Sequence, residues 1–155
     1  MQWIQRFLAT GAFSGYSPVA PGTVGTILFL LAFWLIPGLH GVVLWATIVG
    51  LFILGVWSAT GVEALHGHDA QQINIDEMAG MAIALIAFPQ NLAWYWALLP
   101  FALFRFFDVV KPYPINRLQD LPGGWGVMMD DVLAGIYALI VFQVLYHYLI
   151  AGLMA

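Results

Sequence analysis

The chain has 155 residues, 63% of them hydrophobic and only 8% charged, whereas soluble domains run near about 25% charged. So few charges cannot cover a water-facing surface, which excludes an ordinary soluble domain and points to an integral membrane protein. With no cysteine and only four Lys and Arg against eight Asp and Glu, the chain has no disulfide, thiolate metal site, cysteine-phosphatase chemistry or basic nucleic-acid surface.

The first stretch, MQWIQRFLATGAFSGYS, lacks an apolar core of signal-peptide length before glycine and serine intervene. Trp3, Ile4, Phe7 and Leu8 fall on one side, which predicts a short helix lying in the membrane interface. SPVAPGTVGT (17–26) halts that helix, and Thr23 is placed to cap the next one, 24–36, which stops at Pro37-Gly38. Residues 41–62 form a long uncharged span. HGHD (66–69) has metal-ligand residue types, but His66 and His68 diverge on a helix, and a solvated loop is the expected role.

INIDEMAGM (73–81) starts another helix, with Asp76 as N-cap and Glu77 at its first position. Acids that close to hydrocarbon are costly and default to function. The apolar region 78–110 reads either as one long tilted helix or as two shorter ones turning at Phe88-Pro89-Gln90-Asn91, where proline removes a helix hydrogen bond and disfavours helix before it; the placement of charge favours the turn. The following helix ends in FRFFDVVKPYP (104–114), which holds two of the four basic residues. Arg105 and Asp108, three apart, can pair on one face; Lys111 comes a turn later, with Asn116, Arg117 and Asp120 behind. Finally, GGWGVMMDDVLAGIYA (123–138) reads as a glycine-rich loop leading to Asp130 and Asp131 at the start of the last helix, 132–154.

These segments predict an all-α integral membrane protein, one membrane-embedded domain over 1–155, with about five short-to-normal transmembrane helices plus an N-terminal interfacial helix. Five crossings put Arg6, the 63–76 loop and the 105–131 region on one face. The loops at 37–40 and 89–91, which have no formal charge, go to the other. The positive-inside bias makes the charged face cytoplasmic. The short helices predict a dent in that leaflet, through which polar helix starts reach lipid headgroups.

Carboxylates without soft ligands suit Mg²⁺, which commonly keeps water and binds with a phosphate substrate. Arg105 and Lys111 suit phosphate oxygens, as do the free N–H groups of a helix start near Gly22 and Thr23. Together they predict phosphoryl chemistry on an amphiphile. Asp76, Glu77, Asp108, Asp130 and Asp131 are the candidate metal ligands and general base. Asp76, Glu77, Asp108 and Asp131 are also the candidates for direct catalysis. Asp108 is the candidate for a carboxylate nucleophile, with direct attack by an activated water the preferred route.

SPVAPGTVGT, IDEMAGM, FRFFDVVKPYPI and GVMMDDVLAGIYA, in this order and spacing, resemble the phosphatidylglycerophosphatase A family over roughly residues 8–140. The KPxPI and MMDDVLAG segments are the most specific; tyrosine stands at 113 where tryptophan is common in the family. The resemblance implies a multi-pass, Mg²⁺-dependent lipid phosphatase of the bacterial inner membrane, with its active site facing the cytoplasm. Its implied reaction converts phosphatidylglycerophosphate to phosphatidylglycerol, among membrane lipids and without nucleic acid. A histidine-based lipid phosphatase would need a PSGH-like segment, and a CDP-alcohol phosphotransferase a DGxxAR segment; neither occurs. A non-enzymatic transport or assembly subunit would line a path across the membrane with its charges instead of gathering them on one face.

Overall fold

The computed structural model describes residues 2–66 and 72–150, and every regular element among them is helical. α1 (Gln2–Ala9) leads through a single turn at Ser14–Tyr16 to α2 (Pro21–Leu35) and α3 (Gly41–His66). α4 (Ile75–Ala84) and α5 (Leu98–Val110) follow, then the short α6 (Ile115–Leu118) and α7 (Gly124–Leu145), which runs into a π turn at Tyr146–Ile150. Apart from the backbone of His66, the HGHD stretch lies outside the described residues.

Two segments, Gly41–Ala64 and Gly124–Tyr148, are long and apolar enough to cross a membrane. Much of their apolar surface faces outward: Val42 is 84% exposed and Ile53 61%. That is a poor surface for water and a good one for lipid, and the protein is membrane-associated. α2, α4 and α5 have 15, 10 and 13 residues. At about 1.5 Å per residue they reach roughly 15–22 Å, short of a hydrocarbon core of about 30 Å.

The break near Pro89 is present, and it is wider than the sequence suggests: α4 ends at Ala84 and α5 starts at Leu98. At this end of the bundle, Gln90 Nε2 lies 3.1 Å from His40 Nδ1, and Gln143 Nε2 donates to the Ala87 carbonyl at 2.8 Å. The two uncharged loops and the far end of α7 therefore meet. Phe33, Phe88 and Phe142 fill the core beneath them.

At the opposite end, α4 and α7 approach through glycine. A Cβ on Gly135 would strike the Gly80 carbonyl, and one on Gly80 would strike the Phe104 ring and come within 2.8 Å of the Asp131 carbonyl. Such small-residue contacts let helix backbones close up where lipid supplies no hydrophobic drive. Glu77 precedes Gly80 by one turn and Asp131 precedes Gly135 by one turn, on helices that start from the same end. The glycine contact thus carries both acids to one place.

Three local expectations are corrected. The last helix starts at Gly124, so Asp130 and Asp131 lie well inside α7 instead of opening it. The N-cap of α4 is Asn74, with Asp76 and Glu77 in the first turn, and the N-cap of α2 is Ala20, with Pro21 at the first position in place of a Thr23 cap. At the starts of α2 and α7, proline or glycine that reads as loop is helix: Pro at N1 sacrifices no intrahelical bond, while Gly124 is needed where α7 crosses the Val56 carbonyl.

Candidate active site

A cavity of about 310 Å³ opens at the charged end, lined by Asp76, Glu77, Asp108, Lys111, Asp130 and Asp131 together with Pro21, Gly22, Ile73 and Val127. All five sequence-predicted carboxylates are here. So is Gly22, whereas Thr23 is half-buried and does not line the cavity; Asn116, Arg117 and Asp120 are exposed outside it. α2 contributes its start, α4 its first turn, α5 its end and α7 its second turn. Asp130 is six residues beyond the start of α7, so the cavity floor is about 9 Å in from that helix end. The cavity is recessed.

Charges in the wall are paired in a fixed pattern, partly by Arg105, which lies behind the lining residues. Arg105 forms an ion pair with Glu77 and another with Asp108 at 3.0 Å, and Lys111 pairs with Asp130. The predicted Arg105–Asp108 pair is therefore present, but the link to Glu77 crosses between helices and could not be read from spacing. Lys111 has left-handed backbone (φ 44°) as the last turn of α5 gives way to Pro112. This C-cap conformation is uncommon for a side chain other than glycine or asparagine, and it coincides with the residue whose ammonium meets α7. Burial pushes the Lys111 ammonium down, but the Asp130 hydrogen bond and the surrounding carboxylates outweigh it and hold it above its ordinary value. Lys111 stays charged.

The acids differ in what they touch. Glu77 accepts from Thr26 Oγ1 at 2.9 Å as well as from Arg105. Asp76 Oδ1 and Asp130 Oδ1 each accept from the next residue's backbone N–H, at 2.9 and 3.0 Å. Asp131 is 3% exposed, and its carboxylate has no hydrogen-bond or ion-pair partner among the described residues. Buried polar groups are normally satisfied, so an unpartnered carboxylate facing a cavity is a site for a ligand of positive charge.

Two uncharged residues that the sequence does not single out brace the site. Thr26 orients Glu77, while its hydroxyl also donates within α2 toward the Gly22 carbonyl at 3.0 Å. Asn74, fully buried, donates through Nδ2 to Ser14 Oγ at 3.0 Å and to the Pro21 carbonyl at 2.8 Å. It fastens the start of α2 to the start of α4. Gly22 sits against Glu77 with no space for a Cβ, and a Cβ there would also lie 3.4 Å from an Arg105 nitrogen.

A family model described as phosphatidylglycerophosphatase A matches residues 7–146. A Bacteroides thetaiotaomicron protein bearing the name "Putative phosphatidylinositol-3-phosphatase" is 43% identical over 145 residues, 88% of this chain and 90% of that one. The phosphatidylglycerophosphatase A proteins of Haemophilus influenzae and Escherichia coli are 40% and 35% identical. Those matches cover 94% and 97% of this chain, and 90% and 88% of theirs. No solved structure matches the chain.

Proposed function

Because the chain belongs to the phosphatidylglycerophosphatase A family, we propose that it dephosphorylates phosphatidylglycerophosphate to phosphatidylglycerol in the recessed carboxylate cavity. It is a lipid phosphatase of phospholipid metabolism. The observation that carries the site assignment is the convergence of five carboxylates, Arg105 and Lys111 at the start of α2, in a protein whose outer surface suits lipid.

We also propose Mg²⁺ as the cofactor. Among the described residues, no group of three or more His, Cys, Asp or Glu side chains is arranged to hold a metal ion by itself. The all-oxygen donor set and the unpartnered Asp131 nonetheless fit an ion that takes one or two carboxylates and completes its shell with water and substrate phosphate. Asp131 and Asp76, the acids without an ion pair, would hold it, with Asp108 at their side. When bound, Mg²⁺ would supply positive charge against the phosphate oxygens.

The remaining groups position and neutralise. Arg105, fixed between Glu77 and Asp108, presents its guanidinium toward the phosphate, and Lys111 does so from the opposite wall under the hold of Asp130. In the preferred route water attacks phosphorus and the bond from phosphorus to the terminal glycerol oxygen breaks. One proton of the water passes to a cavity carboxylate not engaged in holding the ion, and that carboxyl group hands it on to the departing oxygen, which becomes the glycerol hydroxyl. Lys111, held above its ordinary value, acts as a charge and not as the acid.

For topology we propose five crossings, with the cavity end cytoplasmic at the inner membrane. The meeting of the loops near His40 and Gln90 at one end, and of every cavity residue at the other, supports this reading.

Phosphate release by the purified full-length protein in detergent micelles tests the assignment. Phosphatidylglycerophosphate, phosphatidylinositol 3-phosphate and phosphatidic acid are compared, each with Mg²⁺ and with EDTA. The expected result is Mg²⁺-dependent release with phosphatidylglycerophosphate preferred. Preference for the inositol lipid would move the substrate assignment, and full activity under chelation would remove the metal from the mechanism.

A further inference from the structure

α2 and α5 meet at the cavity, where Gly22 and Arg105 are neighbours, and then run side by side toward the uncharged end. Between them lies an apolar groove of about 330 Å³, lined by Ile27, Leu31 and Trp34 of α2, Leu98 and Phe101 of α5, and Trp94 of the turn before α5. Ile27, Leu31, Trp94 and Leu98 are between 41% and 65% exposed, so the groove is open to the surrounding lipid. We propose that it receives an acyl chain of the lipid substrate, holding the chain in line with the cavity that holds the phosphate. The proposal rests on the reading of this cavity as a lipid-phosphate site.

What distinguishes this groove from the rest of the apolar exterior is that both helices walling it also carry the phosphate-binding residues, Gly22 on α2 and Arg105 on α5. Ile27 is five residues beyond Gly22, and Phe101 is four before Arg105. The groove therefore starts about 6–8 Å from the phosphate-binding residues, leaving room between them for a polar glycerol linker. From Gly22 to Trp34 the helix rises about 18 Å, close to one leaflet of a core about 30 Å thick. A second apolar groove of about 350 Å³ lies among α3, α4 and α7, with Trp45, Val49, Phe52 and Ile136 in its wall. That groove also nears the cavity, since Val132 in its wall follows Asp131, but its helices bring carboxylates there, whereas α2 and α5 bring Gly22, Arg105 and Lys111.

Two measurements test the proposal. The first compares kcat/KM for long-chain phosphatidylglycerophosphate with that for a soluble dihexanoyl analogue, in wild type, Leu31→Trp, Leu98→Trp and the control Val49→Trp. Filling the α2–α5 groove is expected to lower the long-chain value by about 10-fold or more, with the dihexanoyl value and the control nearly unchanged. Equal losses on both substrates, or no loss on either, would overturn it. The second irradiates wild type and Leu31→Trp in vesicles holding phosphatidylglycerol with a diazirine in one acyl chain. Cross-links are expected within 27–34 and 94–101, and reduced in Leu31→Trp. Labelling spread evenly over the 42–53 face of α3 would overturn the proposal, whether or not phosphate release is seen. Wild type inactive on both phosphate substrates would instead sink the phosphatase reading.

Discussion

Gly22 lies against Glu77 so closely that a Cβ at position 22 would overlap the Glu77 carboxylate. Glu77 cannot retreat freely, because Thr26 and Arg105 hold its other oxygen. Gly22→Ala is therefore expected to cost about 1–3 kcal/mol through overpacking and to lower kcat/KM by about 100-fold through misplacement of Arg105. Phosphate release and thermal unfolding in detergent read both effects; a fully active Gly22→Ala protein would mean that Glu77 does not position Arg105.

Arg105 serves two acids on two helices, and a planar fork with five donors suits that task better than an ammonium. Arg105→Lys should fold and lose about 10-fold or more in kcat/KM. Arg105→Ala leaves Glu77 buried without its cation, a situation that costs about 3–5 kcal/mol. Comparing kcat/KM with unfolding for the two variants separates the roles.

Asp130 and Asp131 are neighbours with opposite expected behaviour. Asp130→Asn weakens the hold on Lys111 and should destabilise by roughly 1–3 kcal/mol. Asp131→Asn removes a charge that has no partner, so its melting temperature in EDTA should equal or exceed that of wild type, while activity is lost. Adding Mg²⁺ should raise the wild-type melting temperature, as any ligand specific to the folded state does, and should leave Asp131→Asn unmoved. An equal rise in both would take Asp131 out of the metal site.

Lys111 has its ordinary value of 10.5 raised by Asp130 against the opposing effect of burial. A raised cation stabilises the fold fully below that ordinary value and loses its contribution only as pH climbs through the higher, folded one. Lys111→Arg should accordingly leave any alkaline fall of activity below about pH 10 where it stands in wild type. A shift of that limb in a pH–rate profile would show that Lys111 titrates there.

Since the chain has no cysteine, single cysteines report topology cleanly. In intact cells an impermeant maleimide should label Gln90→Cys and spare Arg117→Cys. Labelling on the same side for both would show that α5 does not cross.

The charged end and the break near Pro89 were legible because acids in grease and proline in a helix are both expensive, and each leaves its mark one residue at a time. The starts of α2 and α7 were not. Pro21, Gly124 and Gly126 carry the chemistry of loops, and only neighbouring backbone, such as the Val56 and Leu121 carbonyls, reveals why small residues are required in helix. Thr26 and Asn74 escaped for a related reason: their partners Glu77 and Ser14 lie 51 and 60 positions away, beyond any local pattern.

The cavity wall holds five carboxylates and, among the described residues, one cation, Lys111, with Arg105 behind it paired to Glu77 and Asp108. By formal charge it is an acidic hollow at shallow depth in a medium of low polarity, where like charges repel far more strongly than in water. On the proposed reading, Mg²⁺ would bring the positive charge that lets a phosphate enter such a hollow, and a freed orthophosphate without that ion would be expected to leave readily.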